Sequence, residues 1–168
     1  VIIGSVSVLY FSSKYYGGLL SFNIALASVQ TGASIEAIEE KIANAFELSS
    51  NDQFAREIVG LQVSKMNSLL AISQPTEEHQ QQFQSVTVNA VNAGRLAVDT
   101  DPTDPRNWQS LASVYSILTA VGIEGAYERA AEAFENASKY DPTNPEIRLL
   151  YAQLESRAGN LDAAKERA

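Results

Sequence analysis

An Asp-Pro pair at Asp101-Pro102 returns at Asp141-Pro142, with the same kinds of residue at the same offsets around it. Each pair follows a helical run, Arg95-Leu96-Ala97-Val98-Asp99 in one copy and Glu135-Asn136-Ala137-Ser138-Lys139-Tyr140 in the other. Each then leads into a second proline, through Thr103-Asp104-Pro105 and Thr143-Asn144-Pro145, and a fresh amphipathic run. Proline suits the first position of a helix, where its missing N–H is not needed. Each cassette therefore closes one helix and opens the next. Repeated helix–turn–helix units cannot bury their apolar faces singly, so they stack into a solenoid, an architecture generally used to hold other chains.

The remaining helices follow from apolar spacing and capping residues. Leu19, Phe22, Ile24, Leu26 and Val29 fall at helical intervals over residues 19–30, after a break expected at Gly17-Gly18. Thr31-Gly32-Ala33 interrupts the pattern, and Ser34 is an N-cap for a second helix carrying Ala37, Ile38, Ile42 and Ala45. A third helix is expected over 53–72 and a fourth over 77–98, divided by Ser73-Gln74-Pro75-Thr76, with Thr76, Glu78 and His79 forming a helix start. Asp104-Pro105 opens the fifth, which carries Trp108, Leu111, Ala112, Tyr115 and Leu118. Gly122 and Gly125 turn the chain into a sixth over 127–139. Asn144-Pro145 begins a seventh over 146–158, and Gly159-Asn160 leads to a last short helix.

Charge and composition exclude several kinds of function. The net charge is −8 and no basic residues run together, so a phosphate backbone is repelled and nucleic acid is not an expected partner. The chain has no cysteine, which removes disulfides, thiolate catalysis and most structural zinc sites. His79 is the single histidine and stands among glutamates and glutamines, so it is expected on a helix surface. Glu39-Glu40 and Glu77-Glu78 are neighbours in sequence, about 100° apart around a helix, and form solvated faces instead of acid–base pairs. No constellation of residues supports an enzyme, a cofactor or a metal.

Residues 1–11 contain no charge. Eleven residues are too few to span a bilayer, which takes about 17–25. Three readings fit the segment: the outer end of a membrane helix, a docking segment, or a terminal strand. The division expected is therefore residues 1–18 as an apolar segment and residues 19–168 as the solenoid.

These residues resemble the tetratricopeptide repeat, a helix pair of about 34 residues with fixed small and large positions. In the closing hairpin Ala152, Gly159, Leu161, Ala164 and Ala168 stand at the small, turn and packing positions. The hairpin before it supplies Trp108, Leu111, Ala112, Tyr115, Tyr127, Ala130, Phe134, Ala137 and Pro142, with a longer turn over 119–125. The second shows Gly60, Ala90, Ala97 and Pro102, and the first Ala25, Gly32, Ile38, Ile42 and Ala45. The resemblance implies a right-handed superhelical solenoid of about four such units. The order of unequal hairpins also resembles the region following the membrane spans of O-antigen ligase-like bacterial proteins, over residues 15–168. That likeness implies that residues 1–11 end a final span, and the glycan-transferring residues of such proteins lie outside this stretch.

In this family the first helix of each pair lines a concave groove. The resemblance maps that groove onto Phe22, Leu26 and Val29, then Phe54, Glu57, Leu61, Ser64 and Lys65, then Arg106, Gln109, Ser113 and Ser116, and finally Glu146, Leu149, Gln153 and Arg157. The strip Phe22-Leu26-Phe54-Leu61 would need cover, from a partner or from residues 1–11 folding back. Two functions follow as expectations. One is a scaffold that associates with further copies of itself head to tail, through Val1, Ile2, Ile3, Val6, Val8, Leu9, Tyr10 and Phe11, into an extracellular or cell-surface filament. The other is the partner-binding soluble region of a membrane-attached glycan ligase.

Overall fold

The computed structural model describes residues 2–167, and their side chains from residue 12 onward apart from Val29, Gln30 and Ile35. The described residues form eight helices: α1 Ile2–Gln30, α2 Ile35–Leu48, α3 Asp52–Leu70, α4 Glu77–Thr100, α5 Pro105–Ala120, α6 Ala126–Tyr140, α7 Pro145–Arg157 and α8 Leu161–Arg167. The described residues include no strand, so the terminal-strand reading of residues 1–11 does not hold.

Local chemistry places most of the helix ends. The Ser34 Oγ accepts from the Ala37 N–H at 3.3 Å, and Asn51 Oδ1 accepts from the Gln53 N–H at 2.9 Å. Thr76 and His79 form a reciprocal capping box, in which the His79 N–H donates to Thr76 Oγ1 and the Thr76 N–H donates to His79 Nδ1. The repeated Asp-Pro cassette works twice in the same way. Asp101 and Asp141 close α4 and α6, with their N–H groups bonded to Ala97 O and Ala137 O. Asp104 and Asn144 then cap α5 and α7 at 2.9 and 3.0 Å, ahead of prolines that need no N–H partner. Gly125 precedes α6 at φ +73°, a left-handed conformation that side-chain-bearing residues adopt at a cost.

The helices pair as successive antiparallel hairpins, α1 with α2, α3 with α4, α5 with α6 and α7 with α8. Each hairpin also packs on the next through α2–α3, α4–α5 and α6–α7, while α3, α5 and α7 touch in turn. Two apolar clusters result. The smaller holds Phe22, Ala25, Ile38, Ile42, Ala45 and Phe54, and the larger runs from Val59 to Leu154. Ile58 packs against both.

Two glycines behave differently from the sequence expectation. Gly17-Gly18 does not break the first helix, which runs unbroken through both. Gly18 instead permits a close approach, since a Cβ there would meet Ser49 Cβ at 2.6 Å. The C-terminus of α2 is therefore level with Gly18, and the preceding part of α1 extends past its hairpin partner. Gly60, expected at a small packing position, lies on an exposed surface with open space around it. A tight contact is found instead between the second and third hairpins, at Gly94 on α4, where a Cβ would lie 2.8 Å from Leu111 Cδ1 on α5.

This contrast is testable by thermal unfolding. Gly94→Val should destabilise by about 1–3 kcal/mol through overpacking. Gly60→Ala should stabilise by about 0.5–1 kcal/mol through helix propensity alone. Similar melting shifts from the two would contradict the packing described.

Candidate protein-binding surface

Of the residues mapped to a groove, Phe22 and Phe54 are not surface. Both are buried, and their rings stack at 4.3 Å between centroids and 21° between planes. At these two positions the strip is closed by one ring stacking on the other, between α1 and α3. A large aromatic ring at such a position gains more by joining the core than by lining a groove. Leu26 is exposed, and Leu61 is half-buried against the same cluster. The side chains of Val29 and of the proposed self-association residues Val1, Ile2, Ile3, Val6, Val8, Leu9, Tyr10 and Phe11 lie outside those described.

Further along, Glu57, Gln109, Ser113 and Ser116 are half-buried, while Ser64, Arg106, Glu146, Leu149, Gln153 and Arg157 are exposed. Ser113 and Ser116 hydroxyls donate to carbonyls of their own helix, Ser110 O and Ala112 O. Arg106 turns back to Asp104, with Nη2 2.6 Å from Oδ2. That bond and the Arg106 N–H, with Arg56 also near, hold the Asp104 carboxyl below its ordinary pKa against the opposing effect of burial. Lys65 is half-buried and points to α2, where its Nζ lies 2.6 Å from Glu36 Oε1 and 3.8 Å from Glu39 Oε1. These ion pairs tie α3 to α2.

The most exposed large apolar side chains described in the first hairpin stand on α1. Tyr16 is 68% exposed, Leu20 63% and Ile24 52%, four residues apart and so on one face of the helix. Tyr15 beside them is half-exposed and meets Tyr16 edge-on. At the other end Leu149 and Leu161 are also exposed.

Three polar clusters were not expected from the sequence. Arg56 on α3 donates to Asp52 on its own helix, and reaches Asp104 Oδ2 at 3.3 Å and Asn107 Oδ1 on α5. Asn107 is wholly buried and donates in turn to Asp101 O at 2.8 Å, so one arginine ties α3 to the turn before α5. Glu155 on α7 is 2% exposed. It accepts from the Tyr127 hydroxyl at 2.8 Å, the Asn160 amide at 2.9 Å and Arg167 Nε at 3.3 Å. Arg167 also lies 3.7 Å from the centroid of the Tyr151 ring, which secures α8. Burial pushes the Glu155 carboxyl up, but the bonds from Asn160 and Tyr127 and the Arg167 charge outweigh it, and its pKa falls below 4.5. Burial, with Glu135 nearby, raises the Tyr151 phenol to about 12.

The third cluster lies in a cleft of about 500 Å³ among α2, α3 and α4, lined by Glu36, Glu39, Gln62, Lys65, Ser85 and Asn89 among others. Glu39 Oε1 and Gln62 Oε1 are buried there without a hydrogen-bond donor. No group of three histidine, cysteine, aspartate or glutamate side chains able to hold a metal occurs among the described residues. His79 serves the α4 capping box and is half-buried.

Residues 123–168 match the model of the tetratricopeptide repeat family. No curated protein matches the chain. Among solved structures, it is similar to MamA 41-end from Desulfovibrio magneticus RS-1, at 15% identity and a TM-score of 0.43, covering 89% of this chain and 90% of that one. It is also similar to the MamA RS-1 ArsTM double mutant, at 16% identity and a TM-score of 0.43, over 89% of each chain. Among the described residues no helix is long and apolar enough to cross a membrane.

The two titrating groups give opposite pH limits. Glu155 has a lowered native pKa, so its contribution is present above the unfolded value of 4.5 and is lost as pH falls through the native one. Tyr151 has a raised native pKa, so its contribution is present below 10.0 and is lost as pH rises towards about 12. Melting curves across pH should flatten on the acid side in Glu155→Gln and on the alkaline side in Tyr151→Phe. Unchanged limbs would show that these groups do not couple to folding.

Proposed function

We propose that the chain is a non-catalytic scaffold that binds protein, and that it associates end to end with further copies of itself. The observation that carries the reading is the face of α1 formed by Tyr16, Leu20 and Ile24. That face stays in solvent while the opposite side of α1 packs on α2 through Gly18, Phe22 and Ala25. Contiguous exposed apolar side chains mark contact surfaces on soluble proteins. A second copy would offer the exposed Leu149 and Leu161 at its far end. A contact between unlike ends is heterologous, and it builds a filament when the rotation between copies does not close.

A second reading is the partner-binding soluble region of a membrane-attached, ligase-like protein. It is favoured by α1 running as one helix from Ile2, with no charged residue before Lys14. Sedimentation velocity over a concentration series separates the two. Self-association predicts species growing beyond the 18.2 kDa monomer as concentration rises. Leu20→Glu with Ile24→Glu should weaken that growth about tenfold or more, because the interface would have to bury charge. Gln153→Glu should leave it nearly unchanged. A chain that stays monomeric throughout supports the second reading, and growth unaffected by the double variant removes α1 as the contact.

A further inference from the structure

The last two hairpins differ at one place in the repeat. In the fourth, Arg167 of α8 lies 3.7 Å from the centroid of the Tyr151 ring, with Nε 3.3 Å from Glu155 Oε1. An arginine on the second helix is there met by a carboxylate on the first. In the third, Arg129 of α6 lies 5.7 Å from the centroid of the Tyr115 ring, with Nη1 3.5 Å from its hydroxyl. In register with the two Asp-Pro cassettes, Tyr115 stands in α5 where Glu155 stands in α7. Both hairpins have the arginine, but the first helix supplies its carboxylate only in the later one.

Arg129 lines a pocket of about 250 Å³ together with Arg95 from α4, Trp108, Leu111 and Tyr115 from α5, and Glu132 from α6. Both arginines are exposed. Among the described residues Arg56, Arg106 and Arg167 are ion-paired, whereas Arg95 and Arg129 are not. Two guanidinium groups thus share the pocket with one carboxylate, and it is net positive in a chain of net charge −8. Trp108, Leu111 and Tyr115 occupy a different face of α5 from Arg106, Gln109, Ser113 and Ser116, so the pocket is separate from the mapped groove.

We propose that the Arg95–Arg129 pocket binds an aspartate or glutamate side chain of a protein partner. The groups on offer are donors and positive charge, so the ligand has to bring acceptors and negative charge. A carboxylate matches the planar fork of a guanidinium, as Glu155 does for Arg167 in the next hairpin. The apolar wall of Trp108 and Leu111 suits the methylene stem behind it. The pocket is below the usual small-molecule range of about 300–1,000 Å³, which fits a single side chain. A long polyphosphate chain is disfavoured by the acidic surface beyond the pocket. The proposal deepens the scaffold reading by naming the chemistry of what is bound, and rests on it only in that the carboxylate belongs to a protein.

The test uses the whole chain at a concentration where it is monomeric, so its outcome is independent of self-association. Trp108 is the chain's one tryptophan, and its indole is held by a 2.8 Å bond to Pro102 O, so its fluorescence reports on this pocket. N-acetyl-glutamate-amide should change that fluorescence saturably, and the isosteric N-acetyl-glutamine-amide should not. Arg95→Gln and Arg129→Gln should each weaken binding about tenfold, since a charge-assisted bond is replaced by a neutral one. Lys165→Gln, the same charge change at an exposed site on α8, should leave it nearly unchanged. Glu132→Gln removes the internal competitor and should tighten binding severalfold. The proposal is overturned by an absence of saturable change, by an equal response to the glutamine analogue, or by tighter binding of inorganic phosphate than of the glutamate. Equal losses in Lys165→Gln and the two arginine variants, or weaker binding in Glu132→Gln, overturn it as well.

Discussion

A helix pair standing alone leaves much of its apolar surface in water, and this constraint governs the whole molecule. Each hairpin shields its neighbour through α2–α3, α4–α5 and α6–α7, so no single layer holds a complete core. The approach between helices is then limited by the largest atom at the contact. Gly18 and Gly94 set that limit where Ser49 and Leu111 press in. Polar ties are laid over the apolar contacts at the joints between hairpins. Arg56 spans from α3 to Asp104 and the buried Asn107, and Lys65 spans from α3 to α2.

Helix ends were the most legible part of the sequence, because caps act over three or four residues and need no distant partner. Ser34, Thr76, Asp104-Pro105 and Asn144-Pro145 each stand where the structure begins a helix. Glycine was harder to interpret, since one residue type serves two needs. Gly125 permits a left-handed turn, whereas Gly18 sits within a helix and makes room for its neighbour. The sequence shows the glycine but not the atom opposite it, so Gly17-Gly18 suggested a helix break that the structure does not have.

The surface was least legible. Resemblance to a repeat predicted Phe22 and Phe54 as groove residues, but such a mapping takes no account of the size of a side chain, and two phenyl rings within reach of each other stack and bury. Gln62, Asn107 and Glu155 gave no signal at all. Each is polar, on a helix, and ordinary in its local context. Their burial depends on groups far away in the chain, as Asn107 depends on Arg56 and Glu155 on Tyr127. Pairing of that kind appears only after the hairpins are stacked.

The split of the interior into two clusters bears on how the molecule comes apart. Among the described side chains Ile58 is the one packed against both, so apolar continuity between the first hairpin and the rest narrows at α3. Loosening there separates Phe54 from the smaller cluster and breaks the Lys65 ion pairs, whereas parting α5 from α6 would tear through the larger cluster. The α1–α2 pair is thus the natural unit of partial opening, a leaf able to swing free while the downstream layers stay closed. Its amide protons should exchange with solvent ahead of those in α5 and α6.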